Sequence, residues 1–166
     1  MTPSLLLITD TNIWIDLQNG EVLALIFALP FKLITTDFAA DELHPTFWAT
    51  LETLGVEAYR LDPGQIMDIY RLNQSHPPVS TIDLSCMVLA RDFAAILLSG
   101  DKPFRTLAET QAIEVHGVLW LLDALVDQQI ITQSEACLAL NRMLARNARL
   151  PKGPCNKRLK KWRSDA

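Results

Sequence analysis

The sequence predicts an α/β fold, three layers α/β/α around a central, mainly parallel sheet, with further helices at the carboxyl end. Short β-prone runs alternate with stretches whose apolar residues recur at helical spacing, the pattern of parallel strands joined by crossover helices. Turn formers fall between these elements: Pro30, Gly55, Pro63-Gly64, Pro77-Pro78, Gly100 and Gly117. A chain of 166 residues with 49% hydrophobic content is long enough for one domain with a substantial core.

In chain order, residues 5–9 (LLLIT) form a buried first strand that runs into Asp10, Thr11 and Asn12, with a helix predicted over 13–17. A second strand at 33–36 leads to a helix that carries Glu42 about a turn and a half in. The third strand is 57–61, and the helical spacing of Ile82, Met87, Leu89, Ala90 and Phe93 leads to a fourth at 96–99 and a fifth at 113–116. After Gly117 come two helices, 118–127 with Leu119, Leu122 and Val126 on one face, and 134–146 with Cys137, Leu140 and Leu144. A last helix at 156–163 spaces Cys155, Leu159 and Trp162 so that it can dock an apolar stripe and display Lys157, Arg158, Lys160 and Lys161. The LPKGP stretch at 150–154 reads as a hinge, so the expected organisation is one domain over 1–150 and a basic helix over 151–166 docked on it or extending from it.

Charge is unevenly distributed. Residues 1–141 hold 6 basic and 18 acidic side chains, whereas residues 142–166 hold 9 and 1. A basic tail of this kind is either a solvated helix end or a contact for nucleic acid or an acidic partner. The first residues, MTPSLLLITD, lack a basic leader, and the apolar run is too short for a membrane span. Cys86, Cys137 and Cys155 form no CxxC pair, so neither a zinc site nor a disulfide framework is indicated. A soluble, cytoplasmic protein with reduced cysteines and no membrane partner is expected.

In a parallel sheet every strand delivers its last residue to one edge, and each connecting helix starts there. Asp10 follows the first strand, Asp101 follows the fourth after one glycine, and Asp83 opens the helix leading to that strand. Glu42 is close enough for its longer side chain to reach back. Each acid has a bland role: Asp10 and Asp101 as helix caps, Asp83 in a capping box with Ser80, Glu42 on a solvated face. Four carboxylates at one edge nevertheless repel and shift one another unless a cation neutralises them, and Mg²⁺ or Mn²⁺ suits all-oxygen ligands.

A carboxylate-held divalent ion accepts phosphate oxygens, polarises a phosphodiester and makes a nucleophile of bound water. Lys102 and Arg105, at a helix N-terminus beside Asp101, are either an ordinary helix surface or the cations that meet phosphates. Thr11 and Asn12 would orient the Asp10 carboxylate or a water, or serve as local caps.

These motifs resemble the PIN domain, the nuclease family that includes the toxin ribonucleases of bacterial VapBC pairs. LITDTNIWIDL resembles its first motif and maps the first acid to Asp10 and its polar partner to Asn12. TTDFAADEL matches the second through Glu42, STIDLSCMVLAR the third through Asp83, and ILLSGDKPFR the fourth through Asp101. The carboxyl-terminal part is similar to a bacterial subgroup with extra helices and a basic end. Some members carry a second acid in the fourth motif; here Lys102 stands beside Asp101. The resemblance implies a Mg²⁺- or Mn²⁺-dependent endoribonuclease cleaving single-stranded RNA, with Asp10, Glu42, Asp83 and Asp101 as ligands. It further implies a homodimer and an antitoxin protein as partners.

No histidine is needed as base; His44, His76 and His116 lie outside the four motifs and read as loop or packing residues. Phe47, Trp48 and Leu51 form a dimer face or pack inward. The competing reading is a PIN-like interaction module whose site is unused and whose basic tail binds a protein partner. A phosphoacceptor switch would require a phosphorylatable acid after a central strand, for which only Asp62 in its Pro-Gly turn offers itself.

Overall fold

A computed structural model describes residues 5–164, with side chains described through Arg163; the outermost residues of the expected domain bounds, 1–4 and 165–166, lie outside it. The chain forms two compact units, one containing the residues up to Thr11 and Pro30–His116, the other Asn12–Leu29 and the chain from Gly117 onward.

The first unit is built on a parallel sheet of five strands: β1 (Leu5–Thr9), β2 (Phe31–Thr36), β3 (Glu57–Tyr59), β4 (Ile96–Leu98) and β5 (Val115–His116). Their order is β3-β2-β1-β4-β5, so β1 sits at the centre. The register is set by like-facing apolar residues, Leu7 against Leu33 and Ile96, Ile8 against Ile34 and Leu97. Its helices are α2 (Asp37–Glu42), α3 (Pro45–Leu54), α4 (Pro63–Ser75), α5 (Thr81–Phe93) and α6 (Lys102–Thr110). Helix α5 packs against β1, β2 and β4 and is buried along Leu84–Ala90, within a core that includes Ile8, Ile34, Leu97 and Phe104.

Local chemistry sets the helix ends. Helix α4 starts with a full capping box, the Asp62 carboxylate accepting from the Gln65 amide at 2.8 Å and the Gln65 side chain accepting from the Asp62 amide at 2.9 Å. Asp62 is thus a cap beyond the edge strand β3, which removes the phosphoacceptor reading. Helix α3 ends at Gly55, whose φ of 105° lies where a side chain is disfavoured. Leu51 is fully buried, so that part of the 47–51 face packs inward, while Phe47 and Trp48 are half-buried.

The second unit is helical. It contains nearly all of α1 (Thr11–Asn19), a 3-10 helix at Ala24–Ala28, α7 (Val118–Asp127), α8 (Gln133–Ala145) and α9 (Lys152–Ser164). Trp14 stacks on Phe27 with ring centroids 6.4 Å apart. Gly20 lies against the Met143 side chain, whose end a Cβ there would have to displace.

Helix α9 begins four residues earlier than the sequence suggests. The expected hinge is its first turn: Gly153 and Pro154 occupy positions where the amide has no intrahelical partner, so proline costs little there. Cys155, Leu159 and Trp162 are buried as their spacing predicts. Arg158 is not displayed as expected; its guanidinium grips the Asp123 carboxylate of α7 at 2.7–3.1 Å.

Candidate active site

The parallel strands bring the ends of β1, β2 and β4 to one edge, and β1 and β4 flank the place where the strand order reverses. In open α/β sheets ligands bind in the crevice at such a point. Asp10 lies there, 2% exposed, its amide donating to the Leu98 carbonyl at 3.1 Å. Just beyond Leu98, the buried Ser99 hydroxyl accepts from the Asp101 amide at 3.2 Å. The first bond ties the exit of β1 to that of β4, and the second holds the turn that carries Asp101 against the end of its own strand.

Asp101 is exposed and caps α6, one carboxylate oxygen accepting from the Phe104 amide at 3.1 Å. Its bland role is therefore real, but it occupies Oδ2 alone. Asp83 lies in the first turn of α5 and is half-buried. Ser80 is the cap of that helix, accepting from the Asp83 amide at 3.1 Å. Glu42 is the last residue of the short helix α2, exposed, and accepts a hydrogen bond from the Thr11 hydroxyl at 2.7 Å. This differs from the expectation for Thr11: it reaches across 31 residues to Glu42 rather than orienting Asp10.

The carboxylates share an electrostatic neighbourhood. Asp83 is pushed up to about 6, first by burial, then by the charge on Asp101 and, more weakly, on Glu42; a hydrogen bond from Ser80 opposes the rise. No lysine or arginine contributes to that balance. Beneath them Cys86 is fully buried, its thiol pushed up to about 12 by burial and by the charges of Asp10 and Asp83. A thiol held protonated there is packing, not a nucleophile. Among the described residues, no three His, Cys, Asp or Glu side chains stand close enough to grip a metal ion as placed. Oxygens of Asp101 and Glu42 are engaged by the Phe104 amide and the Thr11 hydroxyl, and Ser80 bonds the Asp83 carboxylate.

Lys102 is exposed and Arg105 half-buried on the first turns of α6, and neither forms an ion pair among the described residues. Asn12 is exposed on α1. The sequence does not single out the polar floor of the site. Thr36, at the end of β2, bonds Ser85 of α5 at 2.7 Å and caps α2 by accepting from the Ala39 amide at 3.0 Å. Its signal is present in hindsight: like Asp10, it is a polar residue ending an apolar strand. Asp16 of α1 is half-buried, and burial pushes its carboxyl up to about 6.

A family model for the PIN domain matches residues 6–164. The chain belongs to the PIN-domain family. PIN domains are generally nucleases and typically use divalent metals, and the family's fold is the three-layer α/β/α class predicted from the strand and helix pattern. No curated protein and no solved structure matches this PIN domain. Among its described residues, no helix is long and apolar enough to cross a membrane.

Proposed function

We propose that this PIN domain is a Mg²⁺- or Mn²⁺-dependent endoribonuclease acting on single-stranded RNA, with Asp10, Glu42, Asp83 and Asp101 as its cation ligands. The observation that carries this is the gathering of acids at the sheet edge: Asp10 follows the central strand, Asp101 caps α6 just beyond β4, Asp83 lies in the first turn of α5, and Asp83 is raised first by burial and then by the charges of Asp101 and Glu42. A structure with no use for a cation there gains nothing from gathering acids, whereas a nuclease does. The donors are all oxygens, which fits a hard divalent ion.

Such an ion, when bound, supplies charge for the phosphodiester and lowers the pKa of water. The chain's own residues do the rest. Asp10 is positioned by the Leu98 carbonyl, and Asp101 by Ser99 and Phe104, so that these two acids are preorganised by backbone ties. Thr11 fixes the rotamer of Glu42, a longer and more mobile carboxylate. Lys102 and Arg105, at the start of α6, would meet the substrate phosphates that an acidic pocket alone repels. The reading extends to a cytoplasmic toxin of a toxin–antitoxin pair, with an antitoxin protein and a second copy of the chain as partners.

Cleavage of mixed single-stranded oligoribonucleotides with and without Mn²⁺ tests the activity. Wild-type protein should cut only with metal, and Asp10→Asn, nearly isosteric but uncharged, should lose cleavage while keeping its fold. Metal-independent cleavage, or full activity in Asp10→Asn, would overturn the assignment. A wild-type protein that binds no Mn²⁺ and cuts no RNA would favour the interaction-module reading.

A further inference from the structure

The two units differ in charge: the sheet unit carries 13 acidic and 6 basic side chains, the helical unit 6 and 9. Helix α9 concentrates the positive charge, and its two flanks are not alike. On one side Lys157, Arg158 and Lys161 share a cleft with Asp123 and Asp127 of α7, so carboxylates already answer those cations. On the other side a shallow hollow of about 590 Å³ is lined by Asn156, Leu159, Lys160 and Arg163, with no carboxylate among the described residues that line it. Lys160 and Arg163 are exposed and make no ion pair among the described residues.

Asn156, Lys160 and Arg163 are spaced four and three residues apart, so they form one stripe about 10 Å long at 1.5 Å per residue. Leu159 and Trp162 anchor the helix beneath this stripe, and Arg158 clamps it to α7. The cations are therefore presented on a fixed frame. An amide that donates and accepts, a point charge and a planar guanidinium fork suit the oxygens of a polyanionic backbone.

We propose that this flank of α9 binds the phosphate backbone of RNA, with Lys160 and Arg163 each contacting a phosphate and Asn156 a phosphate or ribose hydroxyl. The choice of RNA over another polyanion rests on the ribonuclease reading; the binding surface rests on α9 alone. An acidic protein segment is the competing occupant. Two cations one turn apart, neither in an ion pair among the described residues, favour a backbone that is charged at every residue.

The test is fluorescence anisotropy of a short labelled single-stranded oligoribonucleotide against the full chain in EDTA, where cleavage plays no part. Lys160→Gln/Arg163→Gln should weaken binding roughly tenfold and flatten the salt dependence by about 1.4 in log–log slope, the share of two phosphate contacts. Arg142→Gln, which removes one positive charge from the same unit but from a side chain already paired with Glu21 at 2.9 Å, should change neither. Unchanged affinity in the double variant overturns the proposal, as does a wild-type protein that binds no RNA. A wild-type protein that binds a polyglutamate peptide through these residues, and not RNA, overturns it in favour of an acidic protein partner. If RNA binds through the stripe but Mn²⁺ elicits no cleavage, the ribonuclease reading fails and this one stands.

Discussion

Replacing Asp83 by asparagine should make the metal-free protein more stable at neutral pH, although it removes a proposed functional group. The folded-state carboxyl is raised from 3.8 to about 6 by burial and by Asp101 and Glu42. Between about pH 4 and pH 6 the folded protein keeps a proton that the unfolded chain has released, so stability falls as pH rises through that window. Above pH 6 the penalty is complete. At about 1.4 kcal/mol per pH unit the full penalty is roughly 3 kcal/mol. Asp83 is half-buried, and solvent screening brings the expected gain to about 1–2 kcal/mol. For a chain of this size that is a rise of roughly 2–8 °C in Tm. Asparagine keeps the amide that bonds Ser80, so the start of α5 is preserved. Thermal melts from pH 4 to pH 8 in EDTA should show the variant above wild type at pH 7, with the two converging toward pH 4. Mn²⁺ should then raise wild type and not the variant. A variant less stable than wild type at pH 7 would refute the claim that burial, together with the acidic neighbours, makes ionised Asp83 costly to the fold.

Thr11→Val deletes the 2.7 Å bond to Glu42; it should cost no more than about 1 kcal/mol of stability and lower Mn²⁺ affinity by about 10–100-fold, measured by calorimetry. Gly20→Ala would place a Cβ 2.6 Å from the end of the Met143 side chain and 3.3 Å from the Ala139 carbonyl. Met143 can shift but the backbone cannot, so urea unfolding should show a loss of about 1–3 kcal/mol. Arg158→Met breaks the forked pair with Asp123 while keeping the apolar stem, and should cost about 1–2 kcal/mol, read by urea unfolding.

The middle of the sheet was legible because β1, β2 and β4 contain short apolar runs bounded by turn residues, and the parallel rule then put Asp10, Asp83 and Asp101 at one edge without coordinates. What escaped depends on partners distant in sequence. Nothing near Thr11 indicates that its hydroxyl bonds Glu42, and nothing near Asp16 indicates its burial. The grouping of residues 12–29 with the chain beyond Gly117 has no local signature either. The start of α9 was hidden because Gly153-Pro154 reads as a breaker in every context except a first helical turn. Arg158 looked like a solvated charge because Asp123, its partner, lies 35 residues away.

The central claim is that four carboxylates at the sheet edge form one divalent-cation site. Isothermal titration of Mn²⁺ into the wild-type protein and into Asp10→Asn tests it most directly. Binding at millimolar metal or tighter in the wild type, abolished or strongly weakened in Asp10→Asn with its fold intact, is the expected result. No binding in the wild type, or equal binding in the two proteins, would contradict the account.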